Sequence, residues 1–405
     1  MSVDSKKIIS ASILIAALGY FVDIYDLILF SIVRVASLKG IGVPDDQLLS
    51  QGVFLINMQM GGMLAGGVLW GILGDKKGRL SVLLGSIFLY SFANIANGFV
   101  HNVNEYAFWR FVAGVGLAGE LGAGITLVSE VMSKETRGYG TMIVAVVGVL
   151  GAVVGALIGD LFNWRVAYWV GGAMGIGLLL LRIKASESGM FEGMKHQALK
   201  RGSFRLIFKN ATSSIKYLCC ILIGVPLWYV VGILVTFSPE FGKAFHMTEL
   251  PKASTAVMCA YIGISLGGLV SGCLSQIFKN RKLITALFMM LNTLFVFVYL
   301  FCPHPSVGVF YMMCLALGFA AGYWTLFVTI AAEQFGTNIR ATVATTVPNF
   351  VRGAVVPLTL SFQYFKNQFG IIEGAMIVGG ACLILAFVAL LGLEETYGKS
   401  LNYVE

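Results

Sequence analysis

Charged residues are scarce in this sequence. Asp, Glu, Lys and Arg together make up 12% of its 405 residues, whereas hydrophobic residues make up 58%. A soluble domain has about 25% charged residues. Because the deficit runs along the whole chain, the composition excludes a soluble globular protein and is typical of a protein embedded in a membrane.

The patterns of common catalytic and metal sites are missing as well. The four histidines lie at or near predicted helix ends or in loops, and there is no Ser-His-Asp or HExxH arrangement. No GxxxxGK[ST] loop is available to hold nucleotide phosphates. The seven cysteines fall mostly in apolar runs, without metal-ligand spacing to a histidine. We therefore expect no enzyme activity, no cofactor, no metal and no direct coupling to ATP.

What the sequence does contain is twelve apolar runs of about 20 residues, the length needed to cross a bilayer as a helix. The runs are too long for the strands of a membrane barrel, and the first lacks the cleavage site of a signal peptide. They predict an all-α membrane protein with spans at 8–34, 50–74, 80–100, 104–131, 138–162, 166–184, 214–239, 253–278, 283–302, 306–333, 341–365 and 371–393.

A longer polar segment, 185–213, divides these runs into two groups of six. It predicts an N-terminal six-helix bundle at 1–184, a cytoplasmic linker at 185–213, and a C-terminal bundle with a short cytoplasmic tail at 214–405. Basic residues cluster in alternate loops, which by the positive-inside rule places both termini in the cytoplasm. The same rule accounts for the net charge of +8, so nucleic acid is not an expected partner.

Two carboxylates lie inside the first apolar run. Asp23 and Asp26 are three residues apart and share one face of a helix. Carboxylates at membrane depth are costly and usually face a polar cavity, and two of them in a low dielectric do not both ionise cheaply. We expect one or both to bind or relay a proton. The alternative is a structural pair neutralised by Arg34 or Arg110.

Run four carries a further buried pair of charges. Arg110 and Glu120 are ten residues apart, about 15 Å along a helix, and lie on roughly the same face. They predict proton and substrate coupling, with Glu120 joining Asp23 and Asp26 as a proton-coupling candidate. The alternative for Arg110 and Glu120 is an ion pair that only packs helices.

Arg352 lies mid-way along run eleven, between Pro348 and Pro357, which we expect to interrupt the helix. A guanidinium at that depth usually faces water or an anion, and its fork suits a carboxylate. We expect it to bind a substrate carboxylate or to pair with an acid of the N-terminal half. With Arg110 and Arg352, the predicted substrate-binding residues are Tyr25, Asn349, Tyr229 and Trp324, although a single aromatic residue is more often a packing residue.

The two halves echo each other. Glu130-x6-Arg137 closes run four, and Glu333-x6-Arg340 closes run ten, 203 residues later. Such an echo is typical of transporters built from two repeats, with substrate bound at the midplane between them. These four charges at cytoplasmic helix ends are predicted to form ion pairs that gate the inner side.

The segment Gly71-x-Leu73-x-Asp75-Lys-x-Gly-Arg79 resembles the loop signature G-x-L-x-D-[RK]-x-G-R of the major facilitator superfamily. The segment from Arg110 to Gly124 resembles the pattern R-x-x-x-G-x-x-x-G-G-E-x-G of its metabolite:proton symporters, with Ala118 in place of one glycine. The tail at 395–401 and Glu187-Ser188 are similar to sugar porter motifs. Asp23-x-x-Asp26 is similar to the D-G-[FY]-D motif of aromatic acid:proton symporters.

This resemblance implies twelve transmembrane helices in two pseudo-symmetric six-helix bundles, with Asp75 and Arg79 in a loop that latches the halves. It also implies that helices one and four line the cavity, so that Asp23, Asp26, Arg110 and Glu120 could form one network. We expect a monomer in a bacterial inner membrane that carries a small organic anion with a proton. The alternatives are a proton-driven exporter of drugs or metabolites, a facilitative uniporter, and a transporter-shaped receptor.

Overall fold

The computed structural model describes the backbone of residues 3–77, 79–120, 137–187, 207–208, 210–302, 304–336 and 340–398, and side chains within 13–70, 73, 81–120, 143–184, 207–208, 210–302, 304–336 and 342–398. This part of the chain is helical and contains no strand. Its spanning helices are α1 (Val3–Gly40), α2 (Leu48–Lys77), α3 (Arg79–Asn97), α4 (described over Val103–Leu117), α5 (Arg137–Leu161), α6 (Trp164–Glu187), α7 (Ala211–Tyr229, continued by the π-helix Val230–Val235), α8 (Ala253–Ile277), α9 (Arg281–Phe301), α10 (Val307–Ala321 and Trp324–Glu333), α11 (Arg340–Gly353 and Val355–Phe369) and α12 (Ile371–Leu391).

The predicted all-α membrane fold is confirmed. Within the described residues, nine helices are long and apolar enough to cross a membrane unaided. The other three are α3, whose apolar part is shorter, α4, which is described only in part, and α11, which is broken in the middle. Each of the twelve coincides with one predicted apolar run, because a 20-residue apolar stretch in a bilayer must satisfy its backbone internally.

The contacts between helices repeat from one half to the other. In the N-terminal half, α1 packs on α5 and α6, α2 on α4, and α3 on α4 and α6. In the C-terminal half the matching pairs are α7 on α11 and α12, α8 on α10, and α9 on α10 and α12. The halves meet where α5 and α1 lie against α8, and where α11 lies against α2. The two ends of this interface are therefore related by the same pseudo-symmetry.

Two matched glycines allow the closest of these approaches. A Cβ on Gly114 of α4 would collide with the carbonyl oxygen of Gln59 on α2, and a Cβ on Gly318 of α10 would collide with that of Ala260 on α8. The two glycines are 204 residues apart. Close backbone contact through small residues is how helices associate in lipid, where no hydrophobic force drives them together.

The helices break near the middle of the membrane. A turn at Ala118–Gly119 follows the described part of α4, and one at Gly322–Tyr323 interrupts α10 at the matching place. In α11 the break lies at Ala354, just before Pro357, whose missing N–H cannot continue the ladder. The expected interruption at Pro348 is wrong, since Arg340–Gly353 is continuous through it. Such broken helices place polar side chains at membrane depth.

The C-terminal tail is fixed to the N-terminal end of α9. Glu395 accepts hydrogen bonds from the backbone N–H groups of Arg281 (3.1 Å) and Lys282 (2.8 Å), the first residues of α9, and from those of Thr396 and Tyr397. Burial raises the pKa of Glu395, but these four donors outweigh burial and hold the pKa below its usual range. A carboxylate is well placed there, because the N-terminus of a helix attracts negative charge.

Candidate functional site

A buried ion pair joins the two halves at the middle of the molecule. Arg352 of α11 donates from Nη2 to Oδ2 of Asp23 on α1 over 3.2 Å, and both side chains are fully buried. Nε and Nη1 of Arg352 and Oδ1 of Asp23 have no hydrogen-bond partner among the described residues. The structure thus shows Arg352 paired with an acid of the N-terminal half, and it leaves two N–H groups available for another acceptor.

Two more predicted residues reach across the same interface. The indole N–H of Trp324 on α10 donates to the hydroxyl of Tyr20 on α1 over 3.1 Å. The amide nitrogen of Asn349, one turn before Arg352 on α11, donates to the carbonyl of Ala118 at the α4 turn over 2.9 Å. Residues from α1, α4, α10 and α11 therefore converge at the centre, as expected for a site shared by both halves.

Tyr25 and Tyr229 occupy matched positions 204 residues apart. The hydroxyl of Tyr25 on α1 donates to the carbonyl of Ala167 on α6, and that of Tyr229 on α7 donates to the carbonyl of Ala375 on α12, each over 2.8 Å. Both hydroxyls are thus used to hold neighbouring helices together. This arrangement favours a packing role for the two tyrosines over the predicted contact with substrate.

Asp26 lies beside Asp23 but has different surroundings. Neither of its carboxylate oxygens has a hydrogen-bond partner among the described residues, although the side chain is fully buried. Arg110 is the nearby positive charge. Arg110 itself donates to Oε1 of Gln59, and its guanidinium lies 5.3 Å from the ring centre of Phe30. Asp26 and Arg110 are therefore close enough to interact, yet each is incompletely bound.

Glu120 is bound by a residue that the sequence analysis did not name. Arg182 of α6 donates to both carboxylate oxygens of Glu120, from Nη1 to Oε2 over 2.9 Å and from Nη2 to Oε1. The pair is buried inside the N-terminal half. The proposed single network of Asp23, Asp26, Arg110 and Glu120 is thus divided into three parts. Arg182 lies within predicted span six. Because a buried arginine needs an acidic partner, its position in an apolar run could have identified it as a partner for Glu120.

One predicted gating residue forms an ion pair with an unpredicted partner. Glu333 at the inner end of α10 binds Arg281 at the start of α9 over 2.9 Å. Arg281 begins α9 as Arg79 begins α3, and Glu333 corresponds to Glu130 at an offset of 203 residues. Glu130 and the side chains of Asp75, Arg79, Arg137 and Arg340 lie outside the described residues.

A second contact between the halves was also missed, on the side that the positive-inside rule predicts to be outside the cell. Both Nη atoms of Arg34 on α1 donate to the carboxylate of Glu240 over 2.7 Å, and Nη2 also donates to the carbonyl of Thr236. Glu240 is carried by the short helix Ser238–Ala244 that follows α7. We call Arg34 and Glu240 the outer gate. Arg34 therefore does not neutralise Asp23 or Asp26, and of the two arginines that the structural alternative named, Arg110 is the one that lies near Asp26.

Other polar contacts join the halves on the same side. Ser254 of α8 donates to Asp160 of α5 over 3.0 Å, and Thr359 of α11 donates to the side-chain oxygen of Asn57 on α2 over 2.7 Å. Together with the outer gate, these contacts close the outer side of the interface. The site around Arg352 is thus covered on that side in this structure.

A family model decides the class of protein. The model of the Major Facilitator Superfamily matches residues 8–358. The chain belongs to the major facilitator superfamily. It is therefore a multi-pass membrane transporter of a small molecule, and the expectation that it is not an enzyme is confirmed.

Relatives in this superfamily cover most of the chain. A protein of Haemophilus influenzae whose name refers to metabolite transport is 28% identical, with 96% of each chain covered. The 3-(3-hydroxy-phenyl)propionate transporter of Escherichia coli is 27% identical, covering 73% of this chain and 74% of its own. The crystal structure of a D-xylose-proton symporter superposes with a TM-score of 0.71 at 16% identity, covering 97% of this chain and all of the other. This last likeness confirms the major facilitator fold.

Weakening the outer gate should open this transporter to the outside. Glu240→Gln removes the charge that holds Arg34, and a hydrogen bond to a charged group contributes about 1.5 kcal/mol or more, so the outward-open population should rise about tenfold. Hydrogen–deuterium exchange of peptides from the outer ends of α1, α2 and α7 would report the change. Glu249→Gln, which alters an exposed acid of the same loop, is the matched control. Unchanged exchange in Glu240→Gln would show that the gate does not hold the halves.

Proposed function

We propose that this transporter carries a small organic carboxylate together with a proton, and that it imports both by alternating access. The observation that supports this most directly is the buried Arg352, which has two N–H groups without a partner among the described residues at the interface of the halves. Nη1 and Nη2 form one edge of the guanidinium, so a carboxylate that displaces Asp23 from Nη2 can accept hydrogen bonds from both. The substrate carboxylate would accept hydrogen bonds from Arg352, and Asn349 and Trp324 would lie beside it.

The charges at the centre explain why the anion and the proton would bind together. Asp23, Asp26, Arg110 and Arg352 are all fully buried and sum to zero when ionised. Protonation of Asp26 leaves one unbalanced positive charge at membrane depth, which is costly. A carboxylate substrate restores the balance. Binding of the proton and binding of the anion therefore favour each other, which is the property that a symporter needs.

The transport cycle follows from the same balance. With Asp26 protonated, the substrate competes with Asp23 for Arg352 and binds between the halves. The bundles 1–184 and 214–405, joined by 185–213, then rock about this site, so that the outer gate forms and the inner ion pairs break. On the inside the proton leaves Asp26, the positive charge of Arg110 is again balanced, and the substrate is released.

The name of the relative from Escherichia coli supports an aromatic substrate. That protein's name specifies 3-(3-hydroxy-phenyl)propionate, an aromatic ring joined to a carboxylate. Here Trp324 and Tyr20 place two rings at the interface where Arg352 lies. An aromatic carboxylate would combine ring contacts with a charge-assisted pair. We propose such a substrate for a monomer in the bacterial inner membrane with both termini in the cytoplasm.

Uptake by the purified protein in liposomes tests this proposal. The external solution is made about one pH unit more acidic than the interior, which supports about tenfold accumulation for one proton per anion. Initial rates are measured with 3-(3-hydroxyphenyl)propionate, benzoate and nicotinate, and with xylose as an uncharged control. Protein-free liposomes correct for passive entry of the neutral acids. We expect saturable uptake of at least one carboxylate, abolished by a protonophore, and none of xylose.

The same experiment separates the alternatives. An acid exterior that drives the carboxylate out of preloaded liposomes would indicate a proton-driven exporter. Equilibration without accumulation would indicate a uniporter. No counterflow of any of these solutes would contradict transport of an aromatic carboxylate and favour a different substrate or a receptor.

A further inference from the structure

A row of polar groups runs through the interior of the N-terminal half, away from the interface where the substrate would bind. It begins at Asp26 on α1 and ends at the Glu120–Arg182 pair toward the cytoplasmic side. Between them lie Asn94 and Tyr90 of α3, four residues apart and therefore on one face of that helix. All of these side chains are buried.

One face of α6 shows how the groups are ordered. A Cβ on Gly171 would collide with Oδ1 of Asp26, and one on Gly175 would lie 3.0 Å from the ring of Tyr90. Gly175 and Arg182 follow Gly171 by four and eleven residues, so all three lie on one face of α6. A Cβ on Gly19 of α1 would collide with the Glu120–Arg182 pair, and Gly19 is seven residues before Asp26, so the pair lies about 10 Å from Asp26 along α1.

The groups in this row have incomplete hydrogen bonding. Both oxygens of Asp26, both amide atoms of Asn94 and the hydroxyl of Tyr90 have no hydrogen-bond partner among the described residues. Asn94 lies next to Asp26 but outside hydrogen-bond geometry. Buried polar atoms are rarely left unbound, and ordered water usually completes them. In such a chain the hydroxyl and the water can pass a proton, and the amide can hold the water in place.

Charged side chains of α1, α4 and α6 face the row, and Glu120 also interacts with Asp23 at the interface. Those nearest the Tyr90 hydroxyl are Glu120 of α4, Asp26 and Asp23 of α1, and Arg182 of α6. Those nearest Asp26 are Asp23 and Arg110 of α4. Tyr90 thus stands between a carboxylate that would give up the proton and one that could receive it.

The three charged residues of this row have no charged counterpart in the C-terminal half. Using the offset of 204 that relates Tyr25 to Tyr229, Asp26 corresponds to Val230 and Glu120 to Trp324. Using the offset of 208 that relates Ala167 to Ala375, Arg182 corresponds to Leu390. A packing role common to both halves would not need these charges in one half alone.

We propose that the proton moves between Asp26 and the Glu120–Arg182 pair through a water held by Asn94 and the hydroxyl of Tyr90, and so leaves by a route separate from that of the substrate. The Asp26 carboxyl group gives its proton to a water held beside Asn94. The Tyr90 oxygen accepts a proton from that water as its own hydroxyl proton passes toward Glu120. Asp26 becomes a carboxylate, Glu120 becomes neutral, and Glu120 then releases the proton to the cytoplasm and regains Arg182. The inference rests on the proposed proton coupling.

Infrared spectroscopy of the reconstituted protein after a rapid change of pH tests the relay without any substrate. The band of the protonated Asp26 carboxyl group is assigned by its loss in Asp26→Asn. In Tyr90→Phe we expect this band to rise and fall about tenfold more slowly, because a positioned proton donor is removed, with its equilibrium titration unchanged. The matched control is Tyr299→Phe in α9, whose buried hydroxyl donates to the carbonyl of Leu234 over 2.9 Å.

Each outcome has a separate meaning. An unchanged rate in Tyr90→Phe, or equal slowing in Tyr299→Phe, would overturn the relay and leave the proposed symport standing. A wild-type protein with no Asp26 carboxyl band at any pH would overturn proton binding by Asp26, and the relay with it. Since Tyr90→Phe removes an oxygen that has no partner among the described residues, we expect the variant to fold as the wild type does.

Discussion

Arg352→Gln is expected to reduce carboxylate transport, measured as the ratio of maximal rate to KM, by about 100-fold or more. Each hydrogen bond from a charged donor contributes about 1.5–3 kcal/mol, and a carboxylate bound by two of them loses at least about 3 kcal/mol. Uptake of 3-(3-hydroxyphenyl)propionate or benzoate into liposomes measures the loss. Arg352→Lys keeps the positive charge but lacks the planar guanidinium, so its ratio of maximal rate to KM should lie between those of the wild type and Arg352→Gln.

Arg352 also neutralises Asp23, so the single substitution changes two things. It leaves the Asp23 carboxylate buried and unpaired, which alone can destabilise the protein. The variant Asp23→Asn with Arg352→Gln removes both charges and should recover thermal stability. If Arg352 binds substrate, this double variant stays inactive although it is stable. Transport restored in the double variant would show that Arg352 serves only as the partner of Asp23.

The helices could be predicted from the sequence because apolar length is a local property. All twelve apolar runs coincide with helices, and the positions of Arg110, Arg352, Asp23 and Asp26 within them were correct. A charge inside an apolar run is visible without knowing the fold. The π-helix at Val230–Val235 and the break at Ala354 were not predicted in place, because each depends on the packing around it.

The partners of these charges could not be predicted in the same way. Arg182 and Glu120 are 62 residues apart, and Arg34 and Glu240 are 206 apart. Nothing in either local pattern specifies the other member, because the pairing is set by which helices pack together. The alternative partner for Arg352, an acid of the N-terminal half, was stated because buried charge must be balanced. This requirement for charge balance, and not the spacing of the residues, predicted that Arg352 pairs with an acid such as Asp23.

Asp26→Asn is the second substitution with a large expected effect, and it separates proton coupling from substrate binding. An asparagine has the shape of a protonated aspartate but cannot release a proton, so the centre keeps one positive charge permanently. The carboxylate should still bind and exchange across the membrane in counterflow. Its accumulation under a gradient of about one pH unit should fall from about tenfold to equilibration.

The matched control is Asp46→Asn, which alters an exposed acid of the loop between α1 and α2. Asp26→Asn leaves the charge of Arg110 unbalanced, as protonation of Asp26 does, so the variant should lose some thermal stability, and its unfolding is measured before its transport. If Asp26→Asn abolishes both accumulation and counterflow, the variant has lost substrate binding and not only proton coupling. If accumulation is retained in Asp26→Asn but lost in Asp23→Asn, the proton-binding residue is Asp23 and not Asp26. The coupling would then involve the pair of Asp23 with Arg352, and Arg110 would have no role in it.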